Sequence, residues 1–221
     1  MQATQPMMRS SRNRPRFAAA LALLALLFAA PTLAAPTDDA RAAMQGTIDE
    51  VLKVLRVKGS PEAARRAEIE AIAKTRFDFT TMSKLVLKRD WRRFTPPEQK
   101  EFVGEFTEYL SASYGTRIAR YANEDVVTLG AREEVNKDVT VLTAIKGGQF
   151  DGATVDYRMR LLAGKWQVID VVIEGISLVS NFRSQFADVI AKGGPQELLK
   201  RIKAKNDAGV VDAPPTSAPA K

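Results

Sequence analysis

Cysteine and histidine are both absent from the 221 residues. Without cysteine there is no disulfide framework, no thiolate zinc site and no thiol nucleophile. Without histidine the commonest general base and the imidazole metal ligand are gone. A phosphate-cradling glycine loop, a G-x-S-x-G nucleophile elbow and a metal-ligand cluster are missing too. The chain therefore nominates no catalytic residue, no metal ligand and no cofactor. What remains is ordinary globular material: 45% of residues are apolar and 27% charged, enough for one domain that buries roughly 70% of its unfolded surface.

The first 34 residues have the layout of a secretory signal. Arg9, Arg12, Arg14 and Arg16 precede the apolar run Phe17–Ala30, and small residues around Ala34 and Ala35 offer a cleavage site. Fourteen apolar residues fall short of the ~20 that span a bilayer. No cysteine follows the run to mark a lipoprotein, and no Arg-Arg pair precedes it, so the general secretory route and a periplasm-like destination are expected. Loss of those four arginines lowers the formal net charge from +7 to +3. A nucleic-acid partner is therefore not expected.

The mature chain, 35–206, opens with helical periodicity. Ala42, Met44, Ile48, Val51, Leu52 and Leu55 form one stripe over Asp38–Val57. Gly59 should end that helix, with Ser60 capping the next and Pro61 at its first position, through about Lys74. Arg76–Trp91 predicts a third helix that Asp78 or Thr80 could cap. Thr95-Pro-Pro-Glu98 is a capping box opening a long helix to about Tyr121, with Phe102, Phe106, Tyr109 and Leu110 inward.

From Glu124 the period changes to two. Strands are expected at Asp125–Leu129 and Val135–Lys146, followed through Gly147–Gly148 by the hairpin Ala153–Leu162 and Trp166–Ile173. Val155, Tyr157, Met159 and Leu161 alternate with Thr154, Asp156, Arg158 and Arg160, so the charged face should be wet. Leu178, Val179, Phe182, Phe186, Val189 and Ile190 then recur at helical spacing until Gly193–Gly194, and Pro195 opens a last short helix. Residues 207–221 are rich in Pro and Ala and are expected to be a disordered tail. The fold class is α+β: N- and C-terminal helices packed on a curved antiparallel sheet of about four strands.

Asp170 and Glu174, near apolar strands, are the acids an enzyme could use as a base of raised pKa. As structural residues Asp170 would take a salt bridge or strand edge, Glu174 a turn or helix start, and Asp156 the solvent. Two basic groups also stand out, Lys84, Lys88, Arg89, Arg92 and Arg93 around Trp91, and Lys200, Arg201, Lys203 and Lys205. Anionic headgroups, an acidic partner or plain solvent would each suit them.

Three stretches carry a resemblance: Asp78-Phe79…Met82, the helix Leu110–Tyr121, and Tyr157–Ile190, with Trp166, Asp170-Val171, Glu174-Gly175-Ile176-Ser177-Leu178 and Asn181-Phe182-Arg183-Ser184-Gln185-Phe186. Together they resemble the MlaC, or toluene-tolerance, family of periplasmic phospholipid-binding proteins, with Phe182 where tyrosine often stands. The resemblance covers about Asp38–Asn206. It implies a monomeric carrier, not an enzyme, holding a glycerophospholipid as cargo in an apolar cavity between sheet and helices. It also implies transient membrane proximity, exchange with an outer-membrane lipoprotein–porin complex and an inner-membrane ABC transporter, and a role in outer-membrane lipid asymmetry. A related branch is associated with hopanoids. Apolar periodicity then selects the lipid-lining candidates: Val141, Tyr157, Met159, Leu161, Trp166 and Val168 on strands, and Phe79, Met82, Phe106 and Leu178 on helices.

Overall fold

A computed structural model describes residues 35–119 and 124–209. The expected signal segment, the end of the long helix at Tyr121 and most of the expected tail lie outside them. Helix α1 (Pro36–Leu55) starts on a proline at its first turn, carries Asp38 and Asp39 at its positive end and Lys53 at its negative end. Its buried stripe runs Ala40, Met44, Thr47, Ile48, Leu52, Leu55, so Ala40 takes the place expected for Ala42. Helix α2 (Glu62–Arg76) has Pro61 at its N-cap and no side-chain cap. The anticipated Ser60 cap is not made; the Ser60 carbonyl instead accepts from Arg65 Nη1 at 2.6 Å.

Asp78 caps α3 (Phe79–Leu87) by accepting from the Thr81 amide at 2.9 Å. That helix stops earlier than expected, and Lys88–Arg93 tightens into a 3₁₀ turn. The Thr95–Glu98 capping box opens α4 (Pro96–Leu110), with the Thr95 amide donating to the Glu98 carboxylate at 2.6 Å. Those bonds to Thr95 hold Glu98 below the usual carboxylate pKa. A π-helical turn, Ser111–Gly115, leads into the short α5 (Thr116–Ile118).

The sheet is an antiparallel meander of five strands in sequence order: β1 (Asp125–Glu133), β2 (Val139–Lys146), β3 (Val155–Leu162), β4 (Lys165–Ile173) and the two-residue β5 (Ile176–Ser177). The first two differ from expectation. Val135 stands fully exposed in the connecting turn instead of starting β2. That turn is closed by the Glu134 amide on the Asp138 carbonyl at 2.7 Å and by Lys137 at φ 61°. Register shifts interrupt the ladders between Thr128 and Gly130 and between Arg158 and Met159. Each such bulge bends its strand and adds twist.

Helix α6 (Leu178–Asp207) is broken where the sequence calls for it. Gly194 sits at φ 74°, ψ −174° and Pro195 follows, a backbone region open only to glycine. Helices α1, α2, α3 and α6 all meet β4, while α4 packs on α3 and α6. The second region is an aromatic cluster in which Phe106 lies 5.4 Å from Phe182 and 5.7 Å from Phe186, and Phe102 lies 5.6 Å from Phe106. The stacked Phe102–Phe106 pair and the two edge-on pairs to Phe106 add about 0.5–1.5 kcal/mol each beyond simple burial.

Candidate functional site

The strand register assembles most of the lipid-lining candidates into one row. Val141 lies opposite Tyr157, Val139 opposite Met159, and Met159 opposite Val168 across the next ladder. Met82, Phe106 and Leu178 come from three helices into the same buried cluster, and Phe79, Tyr157 and Trp166 pack half-buried against it. Leu161 stands apart at 53% exposed. It pairs with Trp166, but β2 pairs β3 only as far as Met159, so Leu161 projects beyond the covered part of the face. None of the ten lines either of two surface depressions of about 380 and 410 Å³. In this conformation the other nine candidates are packed side chains of the interior.

Two junctions tie the helices to β4. The Asp78 amide donates to the Val168 carbonyl at 3.0 Å, and Phe77 bridges Val168 in parallel. At the other junction Asp170, with no exposed surface, accepts from Ser177 Oγ at 2.6 Å, from the Val179 amide at 3.1 Å and from Arg158 Nη1 at 3.4 Å. Ser177 Oγ in turn accepts from the Ser180 amide, capping α6. A buried carboxylate is tolerated because every donor around it is aimed at it, at the positive end of a helix. Glu174 occupies the β4–β5 turn at φ 49° and accepts from the amide and hydroxyl of Thr154. Both acids considered as bases are thus engaged as structural acceptors.

The strand face expected to be wet is half-buried and paired instead. Arg160 reaches Asp138 through two bonds of 2.6 and 2.7 Å, and that hydrogen bonding raises its pKa. Asp156 is half-buried, with one oxygen 3.3 Å from the Thr143 amide. Glu134 is held below the usual carboxylate range by the Thr140 hydroxyl first and Arg132 after it. The Arg160–Asp138 pair joins the β1–β2 turn to β3.

Sequence reasoning treated Phe102, Phe182 and Phe186 as ordinary helix stripes, and their meeting in one cluster had no local signal. It also missed a basic pocket: Lys88, Arg89 and Asp90 of the 3₁₀ turn and Arg183 and Ala187 of α6 surround Val86, Leu87 and Ile190.

The fold and interior define a class, an α+β protein whose helices close an apolar space over an antiparallel meander. The profile of the MlaC protein matches residues 45–204. The chain belongs to the MlaC family. The toluene tolerance protein ttg2D of Pseudomonas putida is 28% identical over 178 residues, spanning 78% of this chain and 82% of that protein. A phospholipid-binding protein from Ralstonia solanacearum, solved in complex with a phospholipid, superposes with a TM-score of 0.70 at 25% identity, over 77% of this chain and 98% of its own.

Proposed function

We propose that this protein is a periplasmic phospholipid carrier, exported with cleavage near Ala34/Ala35, that shuttles lipid between an outer-membrane lipoprotein–porin complex and an inner-membrane ABC transporter. The observation that carries the reading is the fold shared with the Ralstonia protein that holds a phospholipid, together with a continuous apolar cluster between helices and sheet in this chain. The physical need is plain. Two acyl chains of roughly 30 methylenes at ~0.8 kcal/mol each set about 24 kcal/mol against crossing water. An interior as apolar as lipid makes exchange between bilayer and protein nearly neutral, so direction comes from the docking complexes, and maintenance of outer-membrane asymmetry follows from that direction.

Loading requires the closed interior to open. The row Val141, Tyr157, Met159 and Val168 stays with the sheet, Leu178 stays beside it through the Asp170 junction, and Met82 and Phe106 move with α3 and α4, so acyl chains replace contacts that those two helices make in the closed form. Asp170 and Glu174 keep structural roles throughout.

The test is to express the full chain in a Gram-negative host, recover it from the periplasm without detergent, and combine native mass spectrometry with lipid extraction. A mass beginning at Ala35 and a stoichiometric glycerophospholipid are expected; a hopanoid would move the protein to that branch of carriers. A chain that is empty and takes no lipid from vesicles would defeat the carrier reading.

A further inference from the structure

We infer that the 3₁₀ turn Lys88–Arg93, with Lys84 before it, is a docking surface for an anionic phospholipid bilayer, separate from the interior that would hold cargo. The segment Lys84–Arg93 contains five cations and one acid. All five cations are exposed, and the acid, Asp90, is taken by Arg93 at 3.1 Å. Lys84, Lys88, Arg89 and Arg92 make no ion pair among the described residues. Such concentration of unneutralised charge on a short turn is costly through self-repulsion, and an anionic surface relieves it. Trp91 lies half-buried in the middle of the group, with Lys84 Nζ 5.8 Å above its ring. An indole among cations suits the headgroup layer, where one end of the side chain is apolar and the other wet.

The second observation is the pocket of about 410 Å³ beneath Lys88 and Arg89. Val86, Leu87 and Ile190, each no more than 3% exposed, close it off from the core, and Arg183 lines it too, its Nε and Nη2 both donating to the Leu85 carbonyl at 3.1 and 2.9 Å. That clamp fixes the end of α3 against α6, so the cations keep their positions around the pocket. An acidic protein surface would match the cations and leave the Trp91 indole without an apolar layer beside it. A bilayer offers phosphates and, just below them, acyl carbon. Among the described residues no helix is long and apolar enough to cross a membrane.

Each cation near an anionic membrane strengthens binding about fivefold. The test is co-sedimentation of the exported full chain with phosphatidylcholine vesicles with and without phosphatidylglycerol, at low salt and at ~0.15 M, where the screening length is ~8 Å. Arg89→Gln with Arg92→Gln touches no hydrogen bond described here, so folding should be retained, as a melting curve will verify. Wild type is expected to prefer the anionic vesicles, more strongly at low salt than at ~0.15 M, and the double variant to bind them roughly 30-fold more weakly. Cargo content, read by native mass spectrometry, should be unchanged by the pair, which separates docking from carriage. Wild type that ignores phosphatidylglycerol overturns the inference and leaves an acidic protein as partner of these cations. An equal loss from Lys200→Gln with Arg201→Gln overturns the location.

Discussion

Removal of the Asp170 carboxylate tests whether the sheet and α6 are held together where the geometry indicates. Asp170→Ala leaves the buried Val179 amide and the Ser177 hydroxyl without their acceptor, and Arg158 without its counter-charge. Breaking a buried pair from one side costs about 3–5 kcal/mol, since the partners stay desolvated. Arg158 is 37% exposed and can turn to water, which places the loss toward the lower end. In a domain of this size each kcal/mol lowers Tm by about 2–4 °C, so a fall of roughly 6–12 °C is expected by calorimetry. Asp170→Asn keeps the shape and one acceptor for the Val179 amide, and should cost only about 1–2 kcal/mol. Combined with Glu174→Gln it should exchange lipid between vesicles as wild type does. A change in Tm below about 2 °C for Asp170→Ala would refute the anchoring role, and loss of exchange in a folded Asn/Gln double variant would revive catalysis by these acids.

Met159→Arg places a cation in the buried row between Val139 and Val168 and should abolish lipid uptake, with a lowered Tm recorded alongside; normal uptake by the folded variant would reject this lining. Gly194→Ala forces an alanine into φ 74°, ψ −174°, at a cost of about 1–3 kcal/mol, and denaturant titration showing no loss would contradict the observed break in α6. Thr140→Val removes the leading cause of the depressed Glu134 pKa. Because that folded pKa lies below its unfolded value, the stabilisation is complete above about pH 4.3 and vanishes as pH falls through the folded value. The stability difference between Thr140→Val and wild type should therefore shift between pH 7 and pH 3, and a constant difference would dismiss the hydrogen bond as its source.

Much of this protein is written in local signals. The capping box at Thr95–Glu98, the Asp78 cap, the Ala163–Gly164 turn between β3 and β4, and the Gly194–Pro195 break were legible because each depends on residues within a few positions of one another. The α+β order was legible for the same reason, since the hydrophobic period changes from 3.6 to 2 at Glu124 and back after Ser177. The boundaries of β2 were not. Val135 has the residue type of a strand, and only the pairing of Glu134 with Asp138 puts it in a turn.

The sequence by itself determined the elements, their order, and which side chains are apolar enough to form an interior. Tertiary structure alone decided that Leu161 projects past the covered face, that Arg160 is spent on Asp138, and that Asp170 accepts from Ser177 and Val179 at the start of α6 instead of facing a substrate. It also set Lys88 and Arg89 beside Arg183 around one pocket. The physical reason is range. Caps and turns are settled by bonds within one or two turns of chain, whereas the Arg158–Asp170 pair spans 12 positions and the Arg183–Leu85 bond 98, and no periodicity encodes which distant partners will meet.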